Sequence, residues 1–230
     1  MNHAICGGGT AHLEASREAA RRGVADSPFQ SCREPLMARV LPAFHDRPLS
    51  EGASDEVITL APLDQIDPAA VEALLDAAFG ADRRGRTAYR LREGVDAIAG
   101  LSFAALEDGA LIGSVQCWPV ELVDDRGGLH PLVLVGPIAV RPDRQQDGIG
   151  RRITAAALDA AEAAGETALM LIGDPGYYER FFGFVAAPTA GWRLPGPVER
   201  HRLLARIAPG QPIPTEGTVR PRQPALMPLR

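Results

Sequence analysis

With 230 residues, 46% of them hydrophobic and 23% charged, the chain has material for one ordinary domain plus spare ends. No apolar run approaches the ~18 residues needed to cross a bilayer, so no membrane partner is expected. Acidic residues outnumber basic ones by 29 to 24, a net charge of -5, which argues against a protein held to nucleic acid by phosphate contacts.

The first residues, Met1 to Gly9, lack the basic-then-apolar pattern of a secretory signal, and Asn2 rules out myristoylation; a reducing cytoplasm is expected. Residues 1–55 hold a triple glycine and scattered prolines with little periodicity. They read as a disordered arm or a translation-start artefact, with a partner-binding arm as the alternative. Val57 to Ala61 has strand character. Asp67-Pro68 combines an N-cap with proline at the first helical position and opens a helix to Phe79, with Val71, Leu74, Leu75 and Ala78 on one face. A second short helix is predicted over Thr87–Arg92. The arginines around it (Arg83, Arg84, Arg86, Arg90, Arg92) read as an exposed helical face, or else as the entrance for an acidic substrate.

A strand-rich block follows. Leu101–Leu106 and Ala110–Val123 flank Asp108-Gly109, a hairpin turn pair. Leu132–Val140 is nearly continuous in apolar residues, the mark of a central strand buried on both faces. Gly136-Pro137 interrupts it, and since proline removes a ladder donor, a bulge or local parting of strands is expected there. An alanine-rich helix runs from Ile149 to Ala164 and is closed by Gly165. Ala168–Ile172 is an apolar strand, Tyr177–Phe182 a short helix, and Phe184–Ala186 a further strand. The remainder is rich in proline and arginine and is expected to pack partly as loops and a late strand.

The segment from Ile138 to Arg152 carries the chemistry. A buried strand ends, a polar loop turns, and Gly148-Ile149-Gly150 leads into a helix. The first helical turn leaves amide N–H groups unpaired at the positive end of the macrodipole. Gly148 and Gly150 remove side chains that would hold an anion off the backbone, and Arg151 and Arg152 add full charges. The ligand read from these residues is a phosphate or pyrophosphate. All 24 basic residues are arginine, so a Walker loop, a Schiff-base lysine and ordinary pyridoxal-phosphate chemistry are excluded. Ile153 stands where a dinucleotide fingerprint needs Gly or Ala.

Gln145-x-x-Gly148-x-Gly150, after a strand ending Ile138-Ala139-Val140-Arg141-Pro142, resembles the acyl-CoA-binding motif of the GNAT N-acetyltransferase superfamily, Q/R-x-x-G-x-G/A. The order of elements from Val57 to Val185 is similar too, and Gly173-Asp174-Pro175, Tyr177-Tyr178 and Gly183-Phe184 resemble a bacterial branch of predicted acetyltransferases. The resemblance implies an α/β fold: a mixed, mostly antiparallel sheet with a central split between two strands, flanked by helices. It implies a domain over 56–186, an N-terminal arm over 1–55, and a C-terminal extension over 187–230 partly packed on the domain.

It also implies acetyl transfer from acetyl-CoA to a primary amine by direct attack in a ternary complex, with no metal. Backbone groups of Ile138, Ala139 and Val140 would pair with the pantetheine arm, and amides from Gln145, Gln146, Asp147, Gly148, Ile149, Gly150 and Arg151 would cradle the pyrophosphate. An amide near Ile138 would serve the developing oxyanion. Tyr178 is the nearest match to the family's acid, a tyrosine that protonates the departing thiolate. The spacing to Gly183-Phe184 is one residue longer than usual, which leaves Tyr177 and Glu179 as alternatives. Glu121 is the first candidate for the base; Asp174 is either a base or a helix cap, and His130 reads as exposed. The expected partner is a small-molecule or peptide amine, without nucleic acid or membrane, and a homodimer is compatible with this reading. Two rivals stay open: a non-catalytic acyl-CoA-binding or sensing module, and a nucleotide-binding regulatory domain. Cys6, Cys32 and Cys117 suggest neither a disulfide framework nor a metal clip, and Cys117 reads as a core thiol.

Overall fold

A computed structural model describes residues 57–223, so the expectations for residues 1–55 lie outside the described part. Eight strands and four α-helices alternate along it. They are β1 (Ile58–Pro62), α1 (Pro68–Phe79), α2 (Thr87–Arg90), β2 (Phe103–Glu107), β3 (Ala110–Val123), β4 (Leu129–Val140), α3 (Ile149–Ala163), β5 (Ala168–Ile172), α4 (Pro175–Phe182), β6 (Gly191–Arg193), β7 (Leu203–Ile207) and β8 (Glu216–Pro221). The fold is a mixed α/β arrangement: an open, mostly antiparallel sheet of eight strands, order β1-β2-β3-β4-β5-β7, flanked by helices. β8 pairs with the far half of β3 and in parallel with β6.

Local chemistry accounts for most boundaries. Asp67 Oδ1 accepts the Ala69 N–H at 3.0 Å, and Pro68 follows as the first helical residue of α1. Asp108 and Gly109 both adopt positive φ, as a two-residue hairpin turn between β2 and β3 requires. β4 alternates at period two. Val133 and Val135 face α3, which buries Ile149, Ile153, Ala157 and Ala161 against them. Leu132 and Leu134 face a second cluster with Leu91, Val120, Met170, Trp192 and Val219. α1 covers a third patch, with Leu74 and Leu75 against Ala104 and Ala139.

The interruption at Gly136-Pro137 does what proline chemistry requires. Val115 lies opposite Ile138 and Cys117 opposite Val135, so Gly136 and Pro137 together face the single residue Gln116 in a bulge. On the other edge, β4 and β5 are parallel partners only at Val133–Leu169 and Leu134–Met170. Beyond Leu134 they separate: β4 stays with β3 as far as Val140, and β5 stays with β7 as far as Ile172.

Two features differ from the sequence reading. Phe184–Ala186 is not a strand: only Val185 bridges to Ala205, because Gly183 turns the chain through positive φ and a 3-10 turn begins at Ala187. The sheet also continues past residue 186. β7 pairs along all of β5, and β8 along residues 120–123 of β3, while Trp192 is fully buried and donates to Pro214 O at 2.9 Å. Among the described residues no helix is long and apolar enough to cross a membrane.

Candidate active site

The parting of β4 and β5 opens a cleft of about 1040 Å³. One wall is the backbone of Leu134–Ile138; the other is Leu171–Asp174 with Tyr178, and α2 and the 197–202 segment close the remaining sides. Residues 135–140 of β4 thus have one edge paired to β3 and the other without a strand partner.

Tyr178 is positioned by α4. Asp174 Oδ1 accepts the Tyr177 N–H at 2.8 Å, Pro175 occupies the first helical position, and Gly183 closes the helix in the left-handed region, with Phe184 N–H bonded to Tyr178 O at 3.3 Å. The Asp174 carboxylate is therefore engaged as a helix cap. The Tyr178 ring lies flat against Gly173, so closely that a Cβ there would sit 2.3 Å from its Cε2, and edge-on to the buried Phe184. Burial, reinforced by Tyr177 and Asp174 against Arg202, pushes the phenol up to about 12. The three contenders for the acid separate cleanly. Tyr178 lines the cleft, whereas Tyr177 and Glu179 are exposed and do not. One residue along a helix turns a side chain by ~100°, enough to account for the difference.

The loop before α3 meets the anion-site description. Gly148 is the N-cap in the left-handed region (φ 77°) with no side chain capping the helix. The first helical bond runs from Arg152 N–H to Gly148 O at 3.0 Å, so the amides of Ile149, Gly150 and Arg151 lack intrahelical acceptors. Gln145 Nε2 donates weakly to Val140 O at 3.4 Å, and Gln146 turns the loop with φ 86°. Arg144 ties the loop down, donating to Asp147 at 2.8 Å and to Glu107 on β2. A groove of about 860 Å³ runs from Asp147, Gly148 and Arg151 along α3 to Phe181 and Gly183 at the end of α4 and to Arg206.

Other sequence candidates fall elsewhere. Glu121 lies opposite Pro131 on β4, five residues from Gly136, or roughly 17 Å along the strand. It is almost buried, accepts from Arg220 Nε at 2.7 Å, and does not line the cleft. Glu121 is thus on the central strand that the resemblance pointed to, but the structure puts it away from the split and in an ion pair. His130 bonds to Asp124 at 2.9 Å in the β3–β4 turn. Cys117 is buried among apolar side chains, and burial raises its thiol to about 12, so it stays protonated and inert. The arginine cluster divides. Arg84, Arg86 and Arg90 are exposed, while Arg83 is buried between Glu72 and Asp76, both at 2.6 Å. The cleft also contains residues not singled out in the sequence, among them Tyr89, Val198 and Arg202. Val198 and Arg202 arrive through the C-terminal strands, which no local motif announces.

Helix mouth, strand split and α4 occur here in the order and arrangement of an acetyltransferase fold. The model of the acetyltransferase (GNAT) family matches residues 69–184, half of the chain, and the chain belongs to that family. It is 32% identical over 133 residues to the uncharacterized N-acetyltransferase YhbS of Escherichia coli K12, covering 57% of this chain and 77% of the relative. The crystal structure of Escherichia coli YhbS in complex with CoA aligns with a TM-score of 0.53 at 27% identity, over 72% of this chain and 89% of that one. A GNAT family acetyltransferase from Brucella melitensis in complex with acetyl-CoA aligns with a TM-score of 0.50 at 24% identity, over 73% and 97%.

Proposed function

We propose that the chain transfers an acetyl group from acetyl-CoA to a primary amine by direct attack in a ternary complex. The observation that carries this reading is the separation of β4 from β5 beyond Leu134, with Val135–Ile138, whose β5-side edge has no strand partner, on one wall and Tyr178 on the other. The donor fits the residues present. The uncapped amides of Ile149, Gly150 and Arg151, with the Arg151 guanidinium, would hold its diphosphate. The free edge of Ile138, Ala139 and Val140 would pair with the amides of the pantetheine arm as an added strand does. When bound, acetyl-CoA supplies the activated acyl group.

The chain's own contribution is then positioning and proton control. An amide of the Gly136–Ile138 bulge donates to the thioester carbonyl as negative charge develops there. Tyr178, with its phenol held at about 12, keeps its proton at neutral pH and donates it to the departing sulfur. An alkylammonium must lose a proton before it attacks, since its pKa is about 10. The cleft carboxylates are Asp174, already a cap, and Glu199 at the rim, so deprotonation by solvent at the cleft mouth is the simplest route. The catalytic unit we propose runs from residue 57 to 221, because β7 and β8 complete the sheet that carries the cleft. The proposed location is the cytoplasm, where the donor is made and used.

The test is a screen of primary amines with acetyl-CoA, reading released thiol, alongside the donor's effect on melting temperature. Amine-dependent thiol release in wild type, lost in Tyr178→Phe with the acetyl-CoA shift retained, supports the reading. Full turnover in that variant removes Tyr178 from the mechanism. Stabilisation by acetyl-CoA with no amine consumed favours the sensing module, and stabilisation by ATP instead favours the nucleotide-binding domain.

A further inference from the structure

Arg92, just after α2, lies in the cleft wall with Tyr89, its guanidinium 3.8 Å from the Tyr89 ring centre and 5.4 Å from that of Trp118 on β3. Its Nε donates to Ala88 O at 3.0 Å. Its two terminal nitrogens make no hydrogen bond or ion pair with any described residue. Arg83 next to it has two carboxylates; Arg92 has none. Burial, with repulsion from Arg83 and only partly offset by Glu72 nearby, lowers its guanidinium to about 10, the cost of holding a cation in a partly dry wall without an ion-pair partner. Around this cation the structure leaves further polar atoms buried and unpartnered. Tyr89 Oη and Trp118 Nε1, on the two rings that Arg92 faces, and Arg83 Nη1 beside them are all hydrogen-bond donors. A part-buried guanidinium whose terminal nitrogens are unused, beside further unused donors in the cleft wall, is a site for a planar anion that can accept several bonds at once.

We infer that the amine acetylated by this protein also carries a carboxylate, and that Arg92 binds it. The inference rests on the acyl-transfer reading and specifies its acceptor. Trp118 is opposite Leu134 on β4, two residues before the Gly136–Ile138 bulge where the acyl group would be attacked. Strand geometry puts the anion site and the reacting amine roughly 5 to 10 Å apart. An amine and a carboxylate several bonds apart span that distance, as in a diamino acid acetylated at its side chain or a short peptide acetylated at its N-terminus. Arg86 and Arg202 on the same cleft outweigh nothing here alone, since Asp174 and Glu199 balance them; Arg92 supplies the specificity.

The test uses paired acceptors that differ only in the anion: lysine against cadaverine, and short glycyl peptides with free against amidated C-termini. Each is measured for acetyl-CoA-dependent thiol release and for its effect on the melting temperature of the CoA complex. The acid member of a pair is expected to have the higher kcat/KM by about 30-fold or more. Arg92→Met should erase that preference by raising KM for the acid while leaving kcat and stabilisation by acetyl-CoA in place. Arg92→Lys, which keeps the charge and serves if the methionine variant fails to fold, should retain part of the preference. Equal treatment of acid and neutral partners in wild type, reactive or inert, overturns the inference and leaves acyl transfer standing. So does a preference that survives both substitutions. Failure of acetyl-CoA itself to stabilise the protein removes the acyl-transfer reading, and this inference with it.

Discussion

Replacing Gly173 by alanine would put a methyl group where the Tyr178 ring now lies. The added Cβ would sit 2.3 Å from Cε2 and 2.6 Å from Cδ2 of the tyrosine, and 3.0 Å from Leu171 Cδ1. Ordinary contact begins near 3.4 Å, so the ring must retreat by roughly 1 Å or tilt away. Gly173 directly follows β5 and Tyr178 stands on α4, whose two ends are fixed by Asp174 and Gly183, so the phenol swings rather than the helix. A misplacement of about 1 Å at a reacting group costs on the order of 100-fold in rate. We therefore expect Gly173→Ala to lower kcat by about 100-fold, with a stability loss of about 1–3 kcal/mol from overpacking. The acetyl-CoA dissociation constant should change little, since the diphosphate site at the mouth of α3 lies on a separate groove that contains neither Gly173 nor Tyr178. Steady-state thiol release, with melting temperature in the presence and absence of acetyl-CoA, reads all three quantities. The double variant with Tyr178→Phe should be no slower than Tyr178→Phe alone, because both act through one hydroxyl. A folded Gly173→Ala protein with wild-type kcat would refute the claim that ring position sets the rate.

Three further outcomes follow from the same geometry. Gly148→Glu, which brings a carboxylate and a side chain at φ 77° to the mouth of α3, should abolish stabilisation by acetyl-CoA; Gly148→Ala, whose Cβ meets nothing nearer than Arg151 Nη2 at 4.0 Å, should keep it at a cost of about 1 kcal/mol in stability. The pH profile of kcat/KM should climb through the range of the amine and show no descending limb below about pH 11: a phenol raised to about 12 holds its proton past the point where an ordinary tyrosine near 10 would lose it. A limb falling at pH 9 to 10 would contradict the burial of Tyr178. Glu121→Gln should leave turnover within about twofold of wild type and lower stability by ~0.5–1 kcal/mol, since its partner Arg220 is half-exposed; a large loss of kcat would return Glu121 to the site.

What could be read from residue order was whatever is local. Asp67-Pro68 marks the start of α1 by a cap and a fixed φ, and the same pair at Asp174-Pro175 starts α4, two residues before the aromatic run that drew attention to it. Asp108-Gly109 and the glycines of the α3 mouth each demand a particular backbone, and the bulge at Gly136-Pro137 follows from a missing donor in an apolar run. Distance along and across the sheet was not legible. Glu121 had a suitable residue type on a suitable strand but sits five residues beyond the split. β6, β7 and β8 are short, are spaced by prolines, and depend for their burial on β3 and β5, so nothing within 191–221 separates them from loop. The same long-range pairing brings Val198 and Arg202 to the cleft. The isolation of Arg92 was equally hidden, because it is defined by partners that Arg83 has and Arg92 lacks.

A crystal structure with CoA bound addresses the central claim without intermediaries. The diphosphate is expected on the amides of Gly148–Arg151, the pantetheine arm along the free edge of Gly136–Val140, and the sulfur within hydrogen-bond reach of the Tyr178 hydroxyl. A ligand that leaves the gap between β4 and β5 empty, or a sulfur remote from Tyr178, would contradict that claim.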